Sequence, residues 1–207
     1  MATRGLLNVA NSDIGGRFVF TPINETNSYV YDPTITQLSK STYTRTPVDV
    51  QMDVHALRNH TITAGMTYMA DKNRSLTRTP DRSRALAQTD YDIGQTAIYL
   101  QEQYRFADNK ASLLFGLRHD WWKYHDVFDL GSTNQRPPDV SKGATTVRGG
   151  FRYRITDAVG IRVSAGNAFW PGAATWFFQN VSTGNTWREA NPGLKPERTR
   201  MVDFGAD

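Results

Sequence analysis

The chain has 207 residues, 39% of them hydrophobic and 21% charged, with a formal net charge of +4 and no cysteine. No window approaches the roughly 20 apolar residues of a helical membrane span, which excludes a helical membrane protein. The small charge and the lack of a Lys/Arg block argue against a nucleic-acid partner, and without cysteine there is neither a disulfide framework nor a thiolate metal site.

Met1 to Ile14 lacks the basic start and apolar core that mark an export signal. Arg17 to Thr21 and Ser28 to Tyr31 have strand composition against a background of Asn, Thr, Ser and Pro, predicting one or two strands in the first 45 residues. From Val48 the pattern is clean. Val48, Val50, Met52, Val54 and Ala56 alternate with Asp49, Gln51, Asp53 and His55. A strand's period of two sends these sets to opposite faces. After a turn at Arg58 to His60, Ile62, Ala64, Met66, Tyr68 and Ala70 alternate with Thr61, Thr63, Gly65, Thr67 and Asp71. The polar stretch from Lys72 to Asp92 is then expected to be a loop, too long for an ordinary hairpin connection.

A second hairpin descends through Ile98, Leu100, Tyr104 and Phe106, turns at Ala107 to Asn109 and returns through Ala111, Leu113, Phe115 and Leu117, with Gly116, Arg118 and Asp120 on the other face. Glu102 falls on the Ile98/Leu100 face, which requires a place near an interface or a β-bulge. A second long loop is expected from Lys123 to Gly143, with Pro137 and Pro138 unable to donate to a ladder. In the third hairpin Val147, Phe151, Tyr153 and Ile155 oppose Arg148, Arg152 and Arg154; after a turn at Asp157, Ile161, Val163, Ala165 and Phe169 oppose Arg162, Ser164 and Gly166. A third loop runs from Trp170 to Arg198, and Met201 to Asp207 reads as one more strand that stops without a turn, so the sequence reads as part of a longer chain.

Turns at Asn59, Asp108 and Asp157 thus recur every 49 residues, each joining two alternating strands, with long polar connections between the pairs. This rhythm, with arginine on one face and aromatics on the other, predicts an all-β fold: an antiparallel transmembrane β-barrel with an aqueous interior, short turns at one end and long loops at the other. The mean hydropathy of −0.55 does not conflict with it, because only every second residue faces lipid. Seven strands are clear, eight or nine with the N-terminal region. Trp121, Trp122 and Trp170 lie at the loop ends, where a membrane-interface girdle is expected, and Tyr104 and Tyr153 at the opposite ends.

The stretch Asn191-Pro192-Gly193-Leu194-Lys195-Pro196-Glu197-Arg198 resembles the Asn-Pro-x-Leu-Lys-Pro-Glu segment before a late barrel strand in TonB-dependent outer-membrane receptors. Ile98 to Tyr104, with Tyr99-Leu100-Gln101-Glu102, resembles the family's Tyr-x-Gln-Asp/Glu strand, and Gly116-Leu117-Arg118-His119-Asp120 its Gly-Leu-Arg-Tyr-Asp strand end. Ala168-Phe169-Trp170-Pro171 stands where the family has Phe-Arg-Ala-Pro and lacks the arginine. The resemblance covers residues 48–207 and implies that residues 1–207 are part of a 22-stranded barrel domain, with no plug domain in this sequence. It further implies a bacterial outer-membrane location and TonB-energised uptake of a ferric siderophore or cobalamin-like ligand through contacts a plug supplies. Membrane lipid is the other implied partner.

Two readings fit the polar-face cations Arg118, Arg148, Arg152, Arg154 and Arg162. They could draw in an anionic chelate, or pair with carboxylates of a plug or of Asp49, Asp53, Asp120 and Asp203. Likewise Trp176, Phe177, Phe178 and Trp187 could clasp a flat ligand or pack the loop. No catalytic group, cofactor or dedicated metal site is expected. Adjacent residues such as His119 and Asp120 point to opposite faces, and the four histidines show no His-x-x-x-His spacing. Rival classes are an outer-membrane hydrolase, a small barrel without transport activity, and a soluble β-sandwich, which would produce the same alternation.

Overall fold

A computed structural model of the chain describes residues 9–11, 14–20, 23–28, 38–55, 58–79, 81–130, 136–183 and 185–206. In chain order the elements are β1 (Val9–Asn11), β2 (Ile14–Phe20), β3 (Ile23–Ser28), β4 (Leu38–Val54), β5 (His60–Arg78), β6 (Ala85–Phe106), β7 (Ala111–Asp129), β8 (Val140–Arg154), β9 (Gly160–Trp170), α1 (Ala174–Phe178), β10 (Val181–Thr183), β11 (Thr186–Arg188) and β12 (Glu197–Ala206). Among the described residues one antiparallel sheet follows the order β1-β2-β4-β5-β6-β7-β8-β9-β12, with β3 also on β4, and β10–β11 form a small separate hairpin.

The N-terminal region resolves simply. Phe20 pairs with Val48 and Ile23 with Arg45, so β2 and β3 keep one register along β4. They occupy a single strand position along β4, and among the described residues the sheet has nine positions, the upper end of the expected count. Ala56 and residues 29–31, expected in strands, lie outside the described residues.

The three short turns fall where the sequence places them. Asn59 has φ 67°, and Ala107, Asp108 and Asn109 have φ 51°, 53° and 63°. Asn and Asp tolerate this left-handed region better than most residues, which suits them to the tight reversal. The hairpin register is unbroken over β4–β5 and over β8–β9.

The long loops are much shorter than expected. β5 continues to Arg78 and β6 starts at Ala85, so most of the Lys72 to Asp92 stretch is strand; β7 continues to Asp129 and β8 starts at Val140, consuming much of Lys123 to Gly143. Polar rungs carry these extensions: Ser39 to Thr77 at 2.9 Å, Ser41 to Ser75 at 3.2 Å, and Arg45 on Asp71 at 2.7 Å. These rungs lie on the polar face, and on the opposite face Arg74 pairs with Asp92 at 2.5 Å, so the alternation of hydrophobicity fades while the ladder persists. The third connection is long, but holds α1 and the β10–β11 hairpin.

The two faces differ as a barrel wall requires. On one, Val50, Met52, Met66, Ile98, Leu100, Phe115 and Val147 are exposed. The other is tied together by polar contacts. A sandwich would bury the apolar face under a second sheet; among the described residues none lies there.

Candidate functional site

The polar face of β4 to β9 holds a cleft of about 710 Å³, with Asp49, Gln51, Tyr99, Arg118, Asp120 and Arg148 among its lining groups. Three glycines shape this face. Gly65 lies directly across from Tyr99, Gly116 from Arg148 and Gly205 from Arg162. A Cβ on Gly65 would sit 2.3 Å from the Tyr99 ring, one on Gly116 2.9 Å from Arg148 Nε, and one on Gly205 2.4 Å from Arg162 Nε. Each glycine lets a long polar side chain lie across the neighbouring strand. Tyr99 thereby donates its hydroxyl to Gln51 Oε1 at 3.3 Å, and Arg148 donates to Gln101 on β6. The sequence carries the signal: a glycine on the polar face of each of these strands, opposite a long side chain.

The five arginines separate into distinct environments. Arg118 donates two hydrogen bonds to Asp120, at 2.9 and 2.8 Å, and Gln95 adds a third at 3.0 Å. Asp120 is 2% exposed, so the charge of Arg118 is matched inside the sheet. Arg148 is held by a neutral amide and keeps its charge in the cleft. Arg152 and Arg162 are directly opposed across β8–β9, and Arg154 follows near the turn; all three are exposed. Of the other carboxylates, Asp49 accepts from Thr67 at 3.1 Å and Asp53 from Thr63 at 2.6 Å, while exposed Asp203 lies across from Ser164. Pairing within the sheet therefore accounts for Arg118.

The aromatic residues of the third connection fold inward over this face. Phe177 and Phe178 of α1 are 1% and 3% exposed and join a cluster with Trp122, Tyr124, Val127 and Val140. Tyr124 and Phe177 have ring centroids 4.9 Å apart. Trp176 meets Trp170 edge-on at 5.1 Å, whereas Trp187 is 66% exposed. In this conformation Phe177 and Phe178 are packing residues and Trp187 is the accessible ring. Trp122 departs from the expected girdle: at 3% exposure it stacks on Phe169 at 5.1 Å, because its neighbour Trp121 takes the apolar face. Trp121, Trp170, Tyr104 and Tyr153 are exposed.

Asn167 explains how the connection turns inward. Its side chain accepts from Val147 N at 2.6 Å and donates to Thr145 O at 3.2 Å, replacing the backbone ladder beyond Gly166. The Asn191 to Glu197 motif then returns the chain to the sheet. Asn191 N donates to Trp176 O, Gly193 N to Asn191 Oδ1, and Lys142 Nζ to Pro192 O, each at 2.9 Å. Leu194 packs against the buried cluster, Lys195 is exposed, Pro196 is half-buried and Glu197 opens β12 across from Trp170. Its side chains serve loop anchoring.

The histidines divide as strand geometry demands, with one exception. His119 bonds Thr145 at 2.7 Å, on the face away from Asp120. At the β6–β7 bulge, where Asp126 has φ 51°, adjacent His125 and Asp126 do meet, at 2.8 Å. Asp92 approaches them, with one ligand atom from each of the three within 4.8 Å of the others. Arg74 already forms an ion pair with Asp92. The Glu102 question resolves toward the interface: the β6–β7 register is unbroken from Asp92 to Phe106, and Glu102 pairs with His60 at 2.7 Å near the short turns.

Residues 3–207 match the family model described as TonB dependent receptor-like, beta-barrel. The chain belongs to this family of receptor barrels, and its sheet is part of such a barrel. Among solved structures it is similar to the copper transporter OprC (TM-score 0.73, 12% identity, covering 97% of this chain and 35% of that one). It is also similar to the unliganded ferric citrate transporter FecA (TM-score 0.72, 13% identity, 95% and 30%). A third similar structure is the ferric yersiniabactin uptake receptor FyuA from Yersinia pestis (TM-score 0.63, 12% identity, 96% and 31%). These identities establish the shared fold alone, and the chain spans about a third of the length of each. No curated sequence relative matches it.

Proposed function

We propose that the chain forms part of an outer-membrane receptor that takes up a ferric siderophore, with energy relayed by TonB through a plug domain. The apolar face meets lipid and the polar face lines the aqueous path. The observation that carries the ligand class is Arg148: it reaches over Gly116 into the cleft and is held there by neutral Gln101, so its charge is available to an anionic chelate. Arg118 and Asp120 cancel one another in the cleft, and although Asp49 also lines it, the guanidinium of Arg148 gives an anionic ligand a local attraction there. Exposed Arg152, Arg154 and Arg162 extend the same sign toward the short turns, and exposed Trp187 offers a ring at the loop end. The ferric ligands named for FecA and FyuA are consistent with this choice.

The test uses the complete receptor in membranes and radioiron-labelled citrate, hydroxamate and catecholate chelates. Arg148→Gln is expected to weaken binding of at least one of them by roughly tenfold, the worth of about 1.4 kcal/mol, with a shallower salt dependence. Unchanged binding of all three would overturn the assignment of Arg148.

A further inference from the structure

The apolar face carries a second concavity, a groove of about 600 Å³ near the short turns. Its origin is a gap in one cross-strand row. Glu102, Phe115, Gly149 and Ala165 lie side by side on β6, β7, β8 and β9. Phe115 is 59% exposed, but the next two positions carry no side chain and a single methyl, so the wall drops away beside the ring. In the row below, His60 lies across from Tyr104 and their rings stack at 4.6 Å. At one end of the groove, therefore, a carboxylate and an imidazole are held 2.7 Å apart on an otherwise apolar wall.

We infer that this groove seats an acyl chain of a phospholipid whose primary ammonium headgroup is bound by Glu102. The groove is continuous with the face that meets lipid, and its lining apart from Glu102 and His60 is hydrocarbon, aromatic ring or glycine. A charged side chain on a barrel's lipid face is costly unless it finds a partner or reaches the interface. His60 occupies one oxygen of the Glu102 carboxylate, at 2.7 Å, and a carboxylate has further lone pairs that can accept from a ligand. An ammonium group brings a positive charge and three N–H donors to the carboxylate, whereas a choline headgroup has no N–H donor and an anionic headgroup repels the carboxylate. The inference rests on the membrane placement proposed above.

The complete receptor, reconstituted with an equal mixture of phosphatidylethanolamine, phosphatidylglycerol and phosphatidylcholine, is extracted in mild detergent and its retained lipids are counted by native mass spectrometry. Preferential retention of phosphatidylethanolamine is expected. A Cβ at Gly149 would have only Leu114 O within 4 Å, at 3.9 Å, so the backbone there admits a side chain, and Gly149→Leu should fill the groove and abolish the retained lipid. Glu102→Gln should reduce the headgroup preference to parity while a lipid is still held, and it decides the matter alone if Gly149→Leu does not fold. Retention without headgroup preference, preference for another lipid, a second barrel in place of lipid, or wild-type behaviour of a folded Gly149→Leu overturns the inference. A receptor that never enters the bilayer contradicts the membrane placement itself, and loss of chelate binding with lipid retention intact contradicts only the ligand assignment.

Discussion

At Asp120 a carboxylate that is almost wholly buried accepts a fork from Arg118 and an amide hydrogen from Gln95. An amide in its place cannot accept both arms, and the arginine keeps a charge with no counter-ion beside it. Because the Arg118 side chain is 36% exposed, water recovers part of the loss. Asp120→Asn is expected to cost about 1–3 kcal/mol, measured as a shift in urea unfolding of the folded barrel, with Asp203→Asn nearly silent. Asp81 is a different kind of residue, outside the membrane-spanning part in the turn between β5 and β6. The hydroxyl of Thr79, then the hydroxyl and backbone amide of Ser83, hold its carboxyl down to about 2. A carboxylate depressed in the folded state supports the turn above its ordinary value near 3.9 and loses that support as pH falls through the folded value. A titration followed by NMR at Asp81 should have its midpoint at about 2, moving toward 3.9 in Thr79→Ala.

β4 to β7 show which part of an element a sequence declares. Between Val48 and Ala70, and again from Ile98 to Leu117, one face meets apolar surroundings, and the alternation marks strand and face together. Above that band Ser39, Ser41, Arg45 and Asp71 bond across the ladder on the polar face while Arg74 and Asp92 pair on the other, so the strand continues with no periodic signal. The same limit hid the roles of the third connection. Phe177 and Phe178 were equally compatible with a ligand clasp and with packing, because composition does not say that Asn167 bends the chain inward over Trp122 and Tyr124. Arg118 was legible as a pair candidate because Asp120 stands two residues away on the same face; the reach of Arg148 over Gly116 needed the register. If α1 is held by this cluster, Phe177→Ala removes a side chain that is 1% exposed and should lower the connection's local stability by about 3 kcal/mol. Limited proteolysis checks it: residues 171–196 should be cut much faster in the variant, with the strands unaffected.

At the scale of the whole sheet, the proposed receptor wall separates two media, one against each face. On the proposed placement the exposed Ile98, Leu100 and Phe115 meet lipid and the bonded network of Gln101, Arg118 and Arg148 meets water. The chain has no cysteine, so any reactive thiol in it is one that is introduced. The direct measurement is labelling of single cysteines placed at Ile98, Leu100, Gln101 and Thr146 in the complete receptor in membranes, using a charged, water-soluble thiol reagent. Gln101→Cys and Thr146→Cys are expected to react while Ile98→Cys and Leu100→Cys do not until detergent dissolves the bilayer. Equal reaction of all four before detergent would contradict a membrane-spanning wall.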